Sequence, residues 1–317
     1  MAETRTRQRF FKDIQTRGIV FTAFTLLLLA ALVGVGSGDV STVRQLAPGI
    51  YYWQGNSENH EQTNVGWVIF KDGVLVIDAN FPWGAKKILP EIKKTTDKPI
   101  RMVFNTHYHA DHSYGNSVFV DAGAAVVATE DCAIESRSKG PGDVLNQTKA
   151  PPERMEHPTI RFQDRMAIDD GTHRVELIKL GPAHSKGDAV AYFPAEHIVF
   201  TGDLTVNWTS GNNLSDPDAN YNNWIHALDQ LATWNPTIVA SGHGVLGDLG
   251  IIKGQRGYLN EIWTKVQSGR AAGKTPEQIV ETVNVSQYQP FAADPARIAG
   301  AVRTMYRNAD RQSRLPR

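Results

Sequence analysis

The sequence predicts a mixed α/β protein of the α+β kind: two β-rich halves, each with helices, sharing one core. Three observations lead there. Short β-branched and aromatic runs recur from residue 43 onward, helical periodicity is confined to a few segments and the tail, and 317 residues at 41% hydrophobic content can build a sizeable core. The same composition excludes disorder, collagen-like repeats and a disulfide scaffold, because 33 Lys+Arg balance 33 Asp+Glu and Cys132 stands alone. A metal in this chain would have to be held by His, Asp and Glu. The ten histidines are therefore the residues to follow.

The first 38 residues read as an address. Arg5, Arg7, Arg9, Lys12 and Arg17 outnumber Glu3 and Asp13, and the uncharged run IVFTAFTLLLLAALVGVG follows at 19–36. That is the order of an export signal, and the run is also long enough to span a bilayer. No convincing small-residue cleavage site follows, and there is neither an Arg pair nor a cysteine to lipidate. The expectation is an export signal or a membrane anchor with the body outside, periplasmic or secreted. Without this head the chain is slightly acidic, which gives no support to a nucleic-acid partner.

In the body, GIYYWQG (49–55), NVGWVIF (64–70) and GVLVIDA (73–79), separated by turns such as Lys71-Asp72-Gly73, predict an antiparallel meander. A helix follows around 84–94, which Pro90 should interrupt, then strands at IRMVFNTH (100–107) and AAVVAT (124–129). Residues 139–158, with GPGD and APPER, read as a surface loop. The second half offers strands at HRVELIKLG (173–181), DAVAYFPAEHIVFTGD (188–203) and TIVASGHG (237–244), with a helix from about Tyr221 to Trp234. The tail is helical. Thr275-Pro276-Glu277-Gln278 supplies an N-cap, a proline at the first helical position and a capping-box glutamine, and Asp294-Pro295 does so less completely. Ile298, Ala301, Val302 and Met305 fall on one stripe, expected to pack onto the core. With no internal repeat, the simplest division is a leader at 1–38, one catalytic domain at 43–250 and a helical extension at 251–317 packed on it.

Residues 107–112 read His-Tyr-His-Ala-Asp-His directly after a predicted strand. Divalent metals bind neutral imidazole and carboxylate, and a strand exit can turn His107 and His109 toward one ion while Asp111 and His112 face another. His184 in LGPAHSKGD, Asp203 in VFTGD and His243 in ASGHG also sit at strand ends beside glycine, where the backbone can bend around an ion. His60, His157, His173, His197 and His226 lack such neighbours and read as structural or surface residues.

Together with Asp78 in VLVIDA, these residues resemble the five ordered motifs of the metallo-β-lactamase superfamily, over roughly residues 43–250. The resemblance implies an αββα sandwich of two mixed sheets with metals at one edge. It further implies His107, His109 and His184 on a first metal, Asp111, His112 and His243 on a second, Asp203 bridging or near both, and Asp78 supporting a ligand. The implied cofactor is two zinc ions, with iron or manganese as alternatives. Two cations sharing a water lower its pKa, so a hydroxide can attack without a side-chain nucleophile. Asp111 is the candidate to orient it and shuttle a proton.

The family does not fix the substrate. Asp203 in place of a cysteine is similar to the glyoxalase II and lactonase pattern, and Val206 stands where many lactamases carry a lysine for the drug carboxylate. Against this, SGNNLSDPDANYNNW (210–224) looks like a lactamase stretch in which Asn212 or Asn213 would donate to the oxyanion; an Asn-rich turn capping the next helix is the plainer alternative. Tyr108 and Trp208 are candidate aromatic contacts, each as readily packing residues. The expectation is a dinuclear zinc hydrolase opening a cyclic or activated acyl bond of a small molecule, β-lactams first and lactones second. The alternatives are a thioester hydrolase of glyoxalase II type and a mononuclear iron enzyme resembling the persulfide dioxygenases. The flavodiiron pattern departs because it has Glu where His109 stands. A binding module with a structural metal is disfavoured because structural sites are closed, and export with an acidic body argues against nucleases. Nothing in the sequence fixes an oligomeric state.

Overall fold

The computed structural model describes residues 43–56, 63–140, 154–208, 212–288 and 294–312. The basic head and the apolar run at 19–36 lie outside these residues, as do His60 and most of the loop expected at 139–158. Among the described residues no helix is long and apolar enough to cross a membrane.

Two mixed sheets form the middle of the molecule. In the first, β1 (Val43–Ala47), β2 (Ile50–Trp53), β3 (Val65–Ile69) and β4 (Val74–Ile77) pair antiparallel in sequence order. It then continues in parallel through β5 (Ile100–Phe104), β6 (Ala125–Thr129) and β7 (Ile160–Phe162). The second runs antiparallel through β8 (Arg165–Asp169), β9 (Arg174–Lys179), β10 (Ala189–Phe193) and β11 (Ile198–Gly202), and β12 (Ile238–Ser241) joins β11 in parallel.

Alternation along the strands decides which layer each side chain enters. In β4, Leu75 and Ile77 point between the sheets while Val74 and Val76 point outward, and all four are buried, so both faces of this strand are covered. On the other sheet Ala191, Ile198 and Phe200 face inward, whereas Val190 and Val199 face outward. The sheets come so close that a Cβ on Gly66 would lie 2.3 Å from the Phe200 ring.

The outward faces are covered by helices. α1 (Pro82–Thr95) lays Ala85, Ile88 and Ile92 on the first sheet, and after the single turn α2 (Ala110–Ser113), α3 (Asn116–Asp121) adds Phe119. α4 (Glu130–Lys139) follows β6, its first turn capped by the Thr129 hydroxyl accepting from Cys132 N. α5 (Tyr221–Thr233), α6 (Leu249–Ala271), α7 (Pro276–Val280) and α8 (Pro295–Gln312) supply Trp224, Leu259, Ile279 and Val302 to the core behind the second sheet. The layers are therefore helix, sheet, sheet, helix.

Pro90 departs from expectation. α1 runs through it, because Pro90 sits on the exposed side of the helix, where the carbonyl that its missing N–H cannot reach is open to water. The tail stripe does pack as expected: Ala301, Val302 and Met305 are buried, their helix lying against α6 and α7, with Ile298 partly buried beside them. Fully burying a side chain of this size contributes about 1.5–3 kcal/mol.

Candidate metal centre

Strand register gathers the candidate residues at one edge of the sandwich. β4 and β5 are parallel with Ile77 opposite Phe104, so Asp78 and the residues after Phe104 leave the sheet side by side. β11 and β12 are parallel with Gly202 opposite Ser241, which puts Asp203 beside His243. His184 comes from the β9–β10 connection, and Asp111 and His112 from α2, just past the end of β5.

Two groups of ligand atoms result, each within 4.8 Å: His107, His109, His184 and Asp203 in one, Asp111, His112 and His243 in the other. His184 Nε2 lies 3.1 Å from His109 Nδ1 and 3.7 Å from Asp203 Oδ2. On the other side Asp203 Oδ1 is 3.3 Å from His112 Nε2 and 3.2 Å from His243 Nε2, and His243 Nε2 is 3.2 Å from Asp111 Oδ2. One carboxylate thus faces both groups. Tetrahedral ligands held about 2.05 Å from a zinc ion are about 3.3 Å apart, so these separations fit a shared cation. His107 Nε2 is moreover buried without a hydrogen-bond partner among the described residues, a costly arrangement that a cation would relieve. The donor set of imidazole and carboxylate fits a divalent metal.

Neighbouring residues fix the rings. His112 Nδ1 sits 2.8 Å from Asp78 Oδ2, which leaves Nε2 turned toward the cluster; Asp78 also accepts from Thr106 N and Thr106 Oγ1. To reach both, Asp78 adopts φ 61°, a conformation costly for a residue with a side chain and held here by these bonds. His109 Nε2 is 3.1 Å from Asp216 Oδ2, so Asp216 does for His109 what Asp78 does for His112. The Thr63 hydroxyl donates to Asp111 Oδ2, and Asn105, paired with Asn116, donates to the His112 carbonyl. Asp216, Thr63 and the Asn105–Asn116 pair escape sequence reasoning, since each lies in no metal-ligand pattern.

The electrostatics divide the cluster. Burial, reinforced by His112 and His109, holds His107 well below the usual imidazole range, and burial with His109 lowers His184 to about 4. Both are neutral and ready to ligate. Burial also works against a charged His112 and His243, but Asp78 and then Asp111 outweigh it at the first, and Asp203 with Asp111 pushes the second up to about 10. The carboxylates of Asp111 and Asp203 stay low despite burial because these imidazoles face them. A cation entering the second group would displace protons.

The cluster opens into a cavity of about 340 Å³ whose wall also includes Val206, Trp208, Asn212, Asn213 and Arg297. The two asparagines separate. Asn212 is buried, its amide donating to the Asp203 carbonyl, so it braces the loop, whereas Asn213 is exposed at the wall and its Oδ1 accepts from Ser215 N. The helix cap expected of this stretch falls to Asn220, whose side chain accepts from Asn223 N. Of the two aromatics, Trp208 lines the cavity with its ring 4.5 Å from that of His243; Tyr108 packs on His109 and receives a bond from Lys139. His157, His173, His197 and His226 lie outside the cluster. Gly242 is pressed against it, since a Cβ there would stand 2.1 Å from Asp203 Oδ1.

The family model of the metallo-beta-lactamase superfamily matches residues 59–243, more than half of the chain and from before the first ligand motif to the last. The chain belongs to that superfamily. The superfamily fold is matched in solved structures too. A metallo-beta-lactamase from Pontibacter korlensis superposes with a TM-score of 0.57 at 21% identity, over 69% of this chain and 98% of that one. A double mutant of the sec-alkyl sulfatase PisA1 superposes at 0.69 and 15% identity, over 85% of this chain and 50% of that one. Among curated superfamily relatives, the linear primary-alkylsulfatase of Pseudomonas sp. (strain ATCC 19151) is 21% identical over 273 residues, which is 69% of this chain. The chain spans half the length of that relative. Membership makes this a metallo-hydrolase fold with a His/Asp cluster suited to divalent metal.

Proposed function

We propose that the protein is a dinuclear zinc hydrolase that opens a cyclic or activated acyl bond in a small molecule, β-lactams being the first class and lactones the second, and that it works outside the cytoplasm. One observation carries the chemistry: Asp203 faces both ligand groups, 3.7 Å from His184 on one side and 3.2 Å from His243 on the other, and both groups open into one cavity. Two cations held so close together favour attack by water. His107, His109 and His184 would hold one cation and Asp111, His112 and His243 the other, with Asp203 between them, and cations so placed lower the pKa of water and stabilise negative charge on the acyl oxygen.

The chain's own groups orient the reaction. Asp78 and Asp216 keep the His112 and His109 rings turned inward. Asp111 reaches the cavity wall, takes a proton from the attacking water and hands it to the leaving atom as the acyl bond breaks, while the Asn213 amide, on the same wall, donates to the acyl oxygen. Trp208 offers an apolar face to the substrate body. The reading of export rests on the basic head and the apolar run at 19–36, and detection of the protein only in the cytosolic fraction of its cells would remove it.

The test is a hydrolysis screen of zinc-loaded protein against β-lactams, homoserine lactones, thioesters and alkyl sulfates, with metal content measured on the same sample. Alkyl sulfates enter because of the sulfatase relatives. Two zinc ions per chain with lactam or lactone opening supports the proposal. Thioester or sulfate turnover alone would reassign the substrate, and one iron per chain would point to persulfide dioxygenase chemistry.

A further inference from the structure

We infer that the C-terminal helix α8, through Arg311 and Asn308, positions Asp216 and thereby sets how tightly the first ligand group holds its cation. The inference rests on that group binding a metal, as proposed above, and gives a positioning role to chain beyond residue 243, where the superfamily match ends. Asp216 Oδ2 meets His109 Nε2 at 3.1 Å, and its other oxygen, Oδ1, accepts from Asp218 N at 2.8 Å. The Pro217–Asp218 peptide therefore decides where this carboxylate points. That peptide is planar and trans, so its carbonyl and its N–H move as one rigid unit. α8 grips the carbonyl end, because Arg311 Nη2 and Asn308 Nδ2 both donate to the Pro217 oxygen. What the helix fixes at that oxygen is carried across the peptide to the N–H that orients Asp216.

The Asp218 side chain adds a second grip. It lies 3.6 Å from Arg311 Nη1 on α8 and pairs on its other side with Lys139, the last residue of α4. Lys139 also meets Glu135 Oε1 at 3.0 Å and donates to the Tyr108 hydroxyl at 3.2 Å. Tyr108 stands between His107 and His109 in the chain, and its ring centroid is 4.5 Å from that of His109. Arg311, Asp218, Lys139 and Glu135 thus form a row of alternating charge that runs from α8 to the segment carrying the first ligands. Side-chain exposure is 41% at Arg311, 30% at Lys139 and 24% at Asp218, so each pair is open to solvent and worth little alone. Their leverage comes from convergence: the carbonyl of residue 217 and the side chain of residue 218 are held at separate points, which leaves the peptide between them one orientation.

The experiment measures the stepwise zinc affinities of the full chain by competition with a chromophoric chelator. It compares wild type, the double variant Arg311→Ala with Asn308→Ala, and Arg311→Lys, each also made in an Asp216→Ala background. The expected result is one affinity weakened about fivefold in the double variant, the other within about twofold of wild type, and near wild-type binding in Arg311→Lys. In the Asp216→Ala background the same changes should add nothing, because the carboxylate through which they act is gone. A helix that only stabilised the fold would not show this dependence on Asp216. Unchanged affinities, or losses that add in full to that of Asp216→Ala, overturn the inference. Wild type that binds no zinc removes the metal centre and this inference together, whereas zinc binding indifferent to the α8 variants removes this inference alone.

Discussion

Asp111 and Asp216 show what single residues contribute. Asp111→Asn keeps the size of the side chain and its bond to Thr63 but removes the charge that faces His243 and His112. Turnover should fall by orders of magnitude in protein that remains folded and metal-loaded; unchanged turnover would remove Asp111 from the mechanism. Asp216→Ala leaves every ligand in place and frees the His109 ring. Metal affinity at that group should weaken about 10–100-fold, measured by competition with a chromophoric chelator, and wild-type affinity would show that Asp216 does not orient the ring. Asp111 is legible in the sequence because it sits inside HxHxDH. Asp216 is not, because its partner lies 107 positions away and an aspartate in an Asn-rich loop looks like a turn residue.

Among the elements, those with a strong period or an explicit cap are legible, and those whose existence depends on neighbours are not. The β3 and β4 runs and the capping box of α7 could be read because their signals are local, and the Thr275–Gln278 box closes with both of its reciprocal bonds. β7 and β8 could not. Their residues alternate weakly, and pairing with β6 and β9 gives them their conformation. Pro90 is expected from sequence to interrupt α1, yet the helix runs through it, because the local cost of a proline is set by which side of the helix it occupies. Thr275→Ala should cost about 1 kcal/mol in urea unfolding, because α7 has a single turn to lose and Ile279 depends on it for its place in the core. A cost near zero would mean that packing alone holds the turn.

At the scale of the molecule, the candidate ligands come from both sheets. His107, His109, Asp111 and His112 follow β5 in the first, and His184, Asp203 and His243 follow strands of the second. Bound cations would therefore clamp the two halves of the sandwich together. A cation at a thousand times its Kd stabilises the folded chain by about 4 kcal/mol, so removing it with a chelator should lower Tm by roughly 10 °C, reversed by adding zinc. A Tm indifferent to chelator would show that the sheets hold together without it. The layered fold was expected from the motif resemblance, whereas the cavity wall built by α8 was not, since nothing in a helical tail announces which loop it will meet.

Gly242 has a consequence for how this chain can change over time. One added methyl at that position would enter the space of the carboxylate shared by both ligand groups, so a single mutational step would disable the whole centre at once. The wall residue Val206 is no ligand and has no such obligation. A saturation library selected for activity should return only glycine at 242 while admitting several apolar residues at the buried position 206; alanine at 242 among the active clones would refute this. Substrate range can then drift along the wall while the metal floor stays fixed, and new activities on this scaffold would be reached through its rim.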